Sequence, residues 1–113
     1  MLTAAQQERY ARHLLLDELG GEGQERLLAA AVHVSGTGAA ARWAARYLAA
    51  SGVGQLQIDE PSWRDELQSL GPWLSLTPVV GGAQVAPREA ATPAESAING
   101  ALAALEAVRR IVR

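Results

Sequence analysis

The chain has 113 residues, of which 49% are apolar and 19% charged, a composition that predicts one small globular domain. A net charge of −2 gives no reason to expect nucleic acid or an anionic membrane as a partner. No apolar run or signal peptide indicates a membrane span or export, so a cytoplasmic location is expected. There is no cysteine and every basic residue is arginine, which excludes disulfides, thiolate zinc sites, a cysteine nucleophile and lysine Schiff-base chemistry.

The first half of the chain alternates predicted helices with a short strand. Thr3-Ala4-Ala5-Gln6 is a capping box that begins a helix to about Leu16. A second short helix is expected over about 22–30, with Leu27 and Leu28 on its buried side. A strand over 31–35 then ends in Gly36-Thr37-Gly38, and an alanine-rich helix follows to about Ala50.

The second half is predicted to add two strands and two helices. Residues 55–59 and 73–79 both alternate polar and apolar side chains, which indicates strands with one covered face. A short helix is expected over 63–69 and a loop over 81–91. Thr92-Pro93-Ala94-Glu95 is a second capping box, which begins a helix running to the C-terminus. The apolar face of that helix is predicted to contain Ile98, Leu102, Leu105, Val108 and Val112.

Together these elements predict an α/β fold. The expected core is a minimal Rossmann-like βαβ unit with a small, three-stranded, mainly parallel sheet, an N-terminal helical arm and a long C-terminal helix. Because the later strands alternate rather than forming solid apolar runs, one face of the sheet is expected to be thinly covered.

The turn between the first strand and the alanine-rich helix fits the Gly-x-Gly-x-x-Gly/Ala pattern of a dinucleotide site. In that pattern an acidic residue about twenty positions later holds a ribose hydroxyl. The residues predicted to bind a nucleotide from this pattern are Gly36, Thr37, Gly38, Ala39, Asp59 and Glu60. The alternative is a tight βα turn that only packs.

Three residues near the turn also have predicted roles. Arg42 contacts a phosphate or is a solvated surface arginine. Trp43 is expected to pack against the arm or a partner. His33 is expected to be a hydrogen-bonded structural histidine rather than a catalytic one.

Several segments, in order along most of the chain, resemble the ubiquitin-like-protein activating family, the MoeB, ThiF and HesA group of adenylyltransferases. The arm at 8–16 is followed by Gly23-Gln24-Glu25, and 47–54 reads Tyr-Leu-Ala-Ala-Ser-Gly-Val-Gly. Residues 74–79 are similar to the family's third strand and 100–109 to its late helix. The resemblance implies one domain over 1–113, with a helical arm at 1–30, a Rossmann-like core at 31–80 and a C-terminal helix at 92–113.

The departures from the family pattern bear on activity. The second acid of the family's Asp-x-Asp element is absent after Asp59, and the asparagine, arginine and lysine that grip the triphosphate are not found. The magnesium aspartate and the zinc cysteines are also missing, so no catalytic residue, metal site or zinc is predicted. Arg12 matches the arm arginine that contacts nucleotide phosphates in a partner's active site, a role that the resemblance implies.

The leading hypothesis is therefore a shortened, non-catalytic scaffold or regulatory subunit. One alternative is a reduced adenylyltransferase that activates the C-terminus of a carrier protein or peptide, and another is a simple nucleotide-binding module. ATP or AMP, weakly bound, is the expected ligand. A homodimer is predicted, on the argument that the first strand has an open edge and that Leu56, Ile58, Leu74 and Leu76 leave apolar surface to bury. The alternative assembly is a heterodimer with a full-length family member, and a ubiquitin-like carrier or peptide is the further partner implied.

Overall fold

The computed structural model describes residues 21–113. The predicted helix from Thr3 to about Leu16, with Arg12, lies outside the described residues. In chain order the described elements are a helix α1 that includes residues 21–29, strand β1 (Ala31–Val34), helix α2 (Ala39–Ser51), strand β2 (Gln55–Ile58), a 3-10 turn (Pro61–Trp63), helix α3 (Arg64–Leu70), strand β3 (Ala83–Val85) and helix α4 (Pro93–Val112).

The three strands form one parallel sheet in the order β2-β1-β3. Val34 lies opposite Ile58 of β2 on one side and opposite Val85 of β3 on the other. The α/β class and the Rossmann-like βαβ unit are thereby confirmed. The expectation that β1 has an open edge is wrong, because β1 is the central strand and is paired along both edges.

The third strand is not the predicted one. Within residues 73–79 the backbone bridge to the sheet is made by Ser75, which lies opposite Gln55. Beyond that point side-chain amides replace the strand ladder: Gln55 donates to the Pro78 carbonyl at 2.8 Å, and Gln57 accepts from the Val79 amide at 2.8 Å. The third strand instead lies in the predicted loop, at Ala83–Val85.

The core lies between the sheet and the helices, and small side chains dominate it. Most of the inward face of α2 is alanine, which lets the helix approach the strands closely. Leu56, Leu74 and Leu76 are buried there and Ile58 is half-buried, so most of the apolar surface expected to remain for a partner is covered within the chain. Leu27 is buried as predicted, but Leu28 is 56% exposed.

The opposite face of the sheet is polar. Gln57, His33 and Gln84 lie in register across the three strands and therefore share one face. None of the three is fully buried. This arrangement agrees with the prediction that one face of the sheet is thinly covered.

Helix α4 packs on α2 through small residues rather than through its largest ones. A Cβ atom built on Gly100 would lie 2.3 Å from the Ala40 carbonyl oxygen and 2.8 Å from the Trp43 Cβ, so glycine is needed for this close crossing. The buried face of α4 consists of Ser96, Gly100, Ala104, Ala107 and Val108. Of the five apolar residues predicted to face inward, Val108 is buried, whereas Ile98 and Leu102 are 58% and 59% exposed.

Candidate functional site at the glycine turn

The turn between β1 and α2 has the backbone shape that its glycines predict. Gly36 has a φ of +109°, in a region that L-residues rarely adopt, so the chain can reverse there only with glycine. Gly38 is the N-cap of α2 in an extended conformation, and it has no side chain to accept a hydrogen bond from the helix amides. The turn therefore leaves amide groups of the first helical turn facing outward without a local acceptor.

Asp59 lies at this turn, directly after β2. Its Oδ2 accepts a hydrogen bond from the Gly36 amide at 2.8 Å, and its Oδ1 lies 2.9 Å from His33 Nε2. The hydrogen bond with His33 has the larger effect and that with the Gly36 amide the smaller, and together they hold the pKa of Asp59 below its ordinary value of 3.8. The prediction that His33 is hydrogen-bonded is confirmed. Of the two candidate acids Asp59 hydrogen-bonds to the turn, whereas Glu60 accepts from the Ser62 hydroxyl at 2.9 Å.

A carboxylate that the sequence did not predict occupies the N-terminus of α2. Glu89 Oε1 accepts from the Ala40 amide at 2.8 Å, and Oε2 accepts from the Ala41 amide at 3.2 Å. A Cβ atom built on Gly38 would lie 2.5 Å from the Glu89 Cδ, so the second glycine of the motif is needed to admit this carboxylate. In dinucleotide-binding folds the corresponding approach is made by a phosphate.

The loop that carries Glu89 is fastened to the start of α4. The buried Ser96 hydroxyl accepts from the Ala90 amide at 2.9 Å. The Asn99 side-chain amide donates to the Arg88 carbonyl at 2.8 Å. Glu89 thus lies between two anchored neighbours, which helps to hold its carboxylate at the N-terminus of α2.

The one sequence signal for Glu89 is indirect. Helix α2 has no acidic residue in its first turn and no side-chain cap, which indicates that its amides need an acceptor from elsewhere. That acceptor comes from 49 residues further along the chain, at a position that local patterns cannot identify.

Arg42 and Trp43 point to protein groups rather than to the turn. Arg42 donates from Nε and Nη2 to the two carboxylate oxygens of Glu66 on α3, at 3.1 and 3.2 Å. The half-buried Trp43 lies beside Tyr47, with ring centroids 6.0 Å apart, and its Cβ faces Gly100 of α4. These contacts are made within α2 and to α4, whereas packing of Trp43 against the arm or a partner involves groups outside the described residues and stays a prediction.

The turn fits an anion, but in this structure the anion is part of the chain. A nucleotide phosphate would have to displace Glu89 from Ala40 and Ala41 before it could bind there. Thr37 and Ala39 are exposed at the rim, and Arg12 lies outside the described residues. Residues 21–113 contain no cluster of three or more histidine or carboxylate side chains arranged for a metal ion.

Fold and turn together define a small Rossmann-like unit with a glycine-turn anion site. Comparison with known proteins agrees: residues 10–59 match the model of the ThiF family. The chain is 48% identical over 69 residues to the SAMP-activating enzyme E1 of Haloferax volcanii, covering 59% of this chain and 26% of that protein. It is 60% identical over 50 residues to the adenylyltransferase and sulfurtransferase MOCS3 of Mus musculus, covering 44% of this chain and 11% of that protein. It is 47% identical over 55 residues to the vegetative HesA protein of Trichormus variabilis, covering 49% of this chain and 21% of that protein.

The chain is therefore ThiF/MoeB/HesA-like, with a relationship to the adenylyltransferases that activate ubiquitin-like proteins. The matched part of this chain spans only 26% of the Haloferax enzyme, 11% of MOCS3 and 21% of HesA. Within residues 21–113, no helix has the length and apolar character needed to cross a bilayer.

Proposed function

We propose that this chain is a non-catalytic, dimerising scaffold or regulatory subunit of a pathway that activates a ubiquitin-like carrier or a peptide. The observation that carries this proposal is the Glu89 carboxylate, which is bound by the Ala40 and Ala41 amides where a nucleotide phosphate would lie. A second copy of the chain, or a full-length family member, is the subunit partner that the resemblance favours.

The charges around the turn support a role without adenylation. Transfer of an adenylyl group requires cations or a metal to neutralise charge that develops on the α-phosphate. Here two carboxylates, Glu89 and Asp59, hydrogen-bond to the turn, and Arg42 is bound to Glu66. The described groups nearest the turn therefore add negative charge where the reaction needs positive charge.

A nucleotide-binding module is the second candidate, and the position of Asp59 favours it. Asp59 accepts from the Gly36 amide, which is the placement expected of an acid that holds a ribose hydroxyl. In this alternative Glu89 leaves the turn when AMP or ATP binds, and the backbone of 36–40 takes its place as the phosphate ligand.

Calorimetric titration with ATP–magnesium and with AMP distinguishes the two candidates. The variants are Glu89→Gln, which keeps the shape and one acceptor oxygen but removes the charge, and Glu25→Gln, a matched change on α1. We expect wild type and Glu25→Gln to bind neither nucleotide measurably. Measurable binding by wild type that Glu89→Gln tightens about fivefold to tenfold, because loss of the charge relieves repulsion of the phosphate, would favour the nucleotide-binding module.

Pyrophosphate exchange tests the absence of catalysis separately. We expect no exchange above background by wild type or by Glu89→Gln with any carrier that ends in Gly-Gly. Exchange that Gly38→Asp abolishes would contradict the scaffold proposal and favour the reduced adenylyltransferase. Sub-micromolar ATP binding that survives both Gly36→Val and Asp59→Ala would place a nucleotide site away from the turn.

A further inference from the structure

The two edges of the sheet are treated differently by the chain. On the β2 side, the Leu56 amide donates to the Ser75 carbonyl and the Ser75 amide donates to the Gly54 carbonyl, both at 2.9 Å. On the other side the sheet ends at β3, and no backbone segment of residues 21–113 pairs with the outer edge of that strand. One edge is therefore covered, whereas the other is open to an added strand.

The open edge presents a backbone donor and a backbone acceptor at Gln84. The Val85 carbonyl accepts from the Ser35 amide at 2.8 Å, which turns the backbone groups of Val85 toward β1. Because the backbone groups of successive residues in a strand point to opposite edges, those of Gln84 point outward. In the described part of the chain neither its N–H nor its C=O has a hydrogen-bond partner. Gln84 and its neighbours in β3 carry no charge, so the edge lacks the charged side chains that commonly block strand addition.

A groove of about 170 Å³ runs beside this edge, between β3 and α4. Val85 of β3 and two small residues of α4, Ala103 and Ala107, line it, and the paired side chains of Glu106 and Arg110 lie at its rim. A cavity of about 150 Å³ holds a molecule the size of benzene, so this groove admits one side chain of up to about that size. A chain that lies along β3 can therefore place side chains there.

Arg88 supplies the uncompensated charge next to the groove. It is exposed, and in the described part of the chain its guanidinium has no carboxylate partner. Its carbonyl accepts from the side-chain amide of Asn99 at 2.8 Å, and Asn99 lies one turn before Ala103 on the same side of α4. Arg88 is thereby held at one end of the groove. Since Glu106 and Arg110 neutralise each other, the free charge is positive and complements an acidic partner.

We propose that the outer edge of β3 binds an extended, acidic segment of another protein, which adds a fourth strand to the sheet. The backbone of the segment exchanges hydrogen bonds with Gln84, and its side chains at alternate positions lie over Ala103 in the groove. A carboxylate of the segment pairs with Arg88. This binding edge uses neither the amides of α2 nor a second copy of the chain, and so goes beyond the proposed function.

Fluorescence anisotropy with a labelled heptapeptide tests the edge on the full chain. The probe is Glu-Ala-Thr-Ala-Thr-Ala-Glu, blocked at both ends, which has small side chains at alternate positions and an acid at each end to suit either strand direction. We expect a dissociation constant of about 10–300 µM that rises with salt. The same probe with lysine in place of both glutamates is expected to bind at least about fivefold more weakly.

Matched variants assign the binding to the edge. Gln84→Pro removes the outward N–H, which the sheet does not use, and we expect it to weaken binding at least about tenfold, whereas Gln84→Ala keeps that N–H and binds like wild type. Ala103→Leu fills the groove and is expected to weaken binding by a similar factor. Arg88→Ala is expected to cost about twofold to fivefold at low salt, and Arg109→Ala, which does not line the groove, no change. Thermal unfolding checks that each variant is folded.

Two N-methylated probes test the backbone pairing without changing the protein. One is methylated at its alanine amides and the other at its threonine amides, and only one of the two is expected to lose binding, because only alternate amides face β3. Equal affinity of both methylated probes, wild-type affinity in Gln84→Pro, or no binding at about 1 mM protein would overturn the proposal. Self-association of the chain that Gln84→Pro abolishes would show that a second copy occupies the edge, and would also overturn it.

Discussion

Replacing Gly100 by alanine tests the crossing of α2 and α4, which positions the loop carrying Glu89. The added Cβ would meet the Ala40 carbonyl oxygen at 2.3 Å, the Trp43 Cβ at 2.8 Å and the Ala44 amide nitrogen at 2.9 Å. Two of these three atoms belong to the backbone, which cannot rotate away as a side chain does. The helices must therefore separate, and an overpacked core of this kind costs about 1–3 kcal/mol.

An opposing term is the greater helix propensity of alanine, which is favourable by about 0.5–1 kcal/mol inside a helix. Because all three contacts are shorter than 3.0 Å, the upper part of the overpacking range, about 2–3 kcal/mol, applies, and the net loss expected for Gly100→Ala is about 1–2.5 kcal/mol. For a domain of this size that corresponds to a fall in Tm of roughly 5–12 °C. The control is Gly21→Ala on α1, where a Cβ would have no atom within 4 Å and the stability is expected to stay the same or rise slightly.

Urea unfolding followed by far-UV circular dichroism measures both variants, and near-UV dichroism reports on Trp43 next to the crossing. If Gly100→Ala were as stable as Gly21→Ala, the close approach of α4 to α2 would be refuted. Gly100→Val would then provide a second measurement, since a branched side chain at a true contact costs more than alanine.

Three further substitutions test other parts of the structure. Thr92→Ala removes the hydroxyl that accepts from the Glu95 amide at 3.2 Å, and we expect a loss of about 1 kcal/mol in urea unfolding. Gly36→Ala forces a side chain into a φ of +109° and is expected to cost about 1–3 kcal/mol by the same assay. Since the pKa of Asp59 is lowered in the folded state, its stabilisation is complete above the ordinary value of 3.8 and is lost as the pH falls through the folded pKa. Asp59→Asn is therefore expected to be less stable than wild type at pH 7 and to lose less stability on acidification, whereas an identical fall in both proteins would contradict the His33–Asp59 contact.

The sequence predicted those parts of the fold that local chemistry determines. The Thr92 capping box and the proline after it begin α4 where expected. Gly36 and Gly38 mark the turn, and the acid after β2 reaches it, because parallel strands bring their carboxyl ends to one edge of the sheet. In each case the residues that carry the signal are the residues that form the structure.

The errors arise where contacts between distant elements outweigh local patterns. Alternation over 73–79 indicated a strand, yet Gln55 and Gln57 bind that segment through their side chains. The true strand β3 follows Gly82, where a Cβ would lie 2.4 Å from the Ala31 carbonyl oxygen. Large apolar residues were expected to face the core on α4, but the short distance to α2 admits only small ones, which turns Ile98 and Leu102 outward.

The contacts of Glu89 change what the glycine turn does in this chain. The amides of α2 bind a carboxylate whose loop is held by Ser96 and Asn99 of α4, so the turn fastens one helix to the other. A ligand phosphate would have to break that attachment and then lie beside the displaced acid. If the form in which Glu89 has left the α2 amides were populated at about 1%, the apparent affinity of the phosphate would fall about a hundredfold. The same geometry explains why both glycines are needed without a nucleotide: Gly36 allows the reversal of the chain, and Gly38 leaves room for the carboxylate. A glycine motif of this kind therefore indicates close approach of an anion to a helix N-terminus, and the anion can be the protein's own.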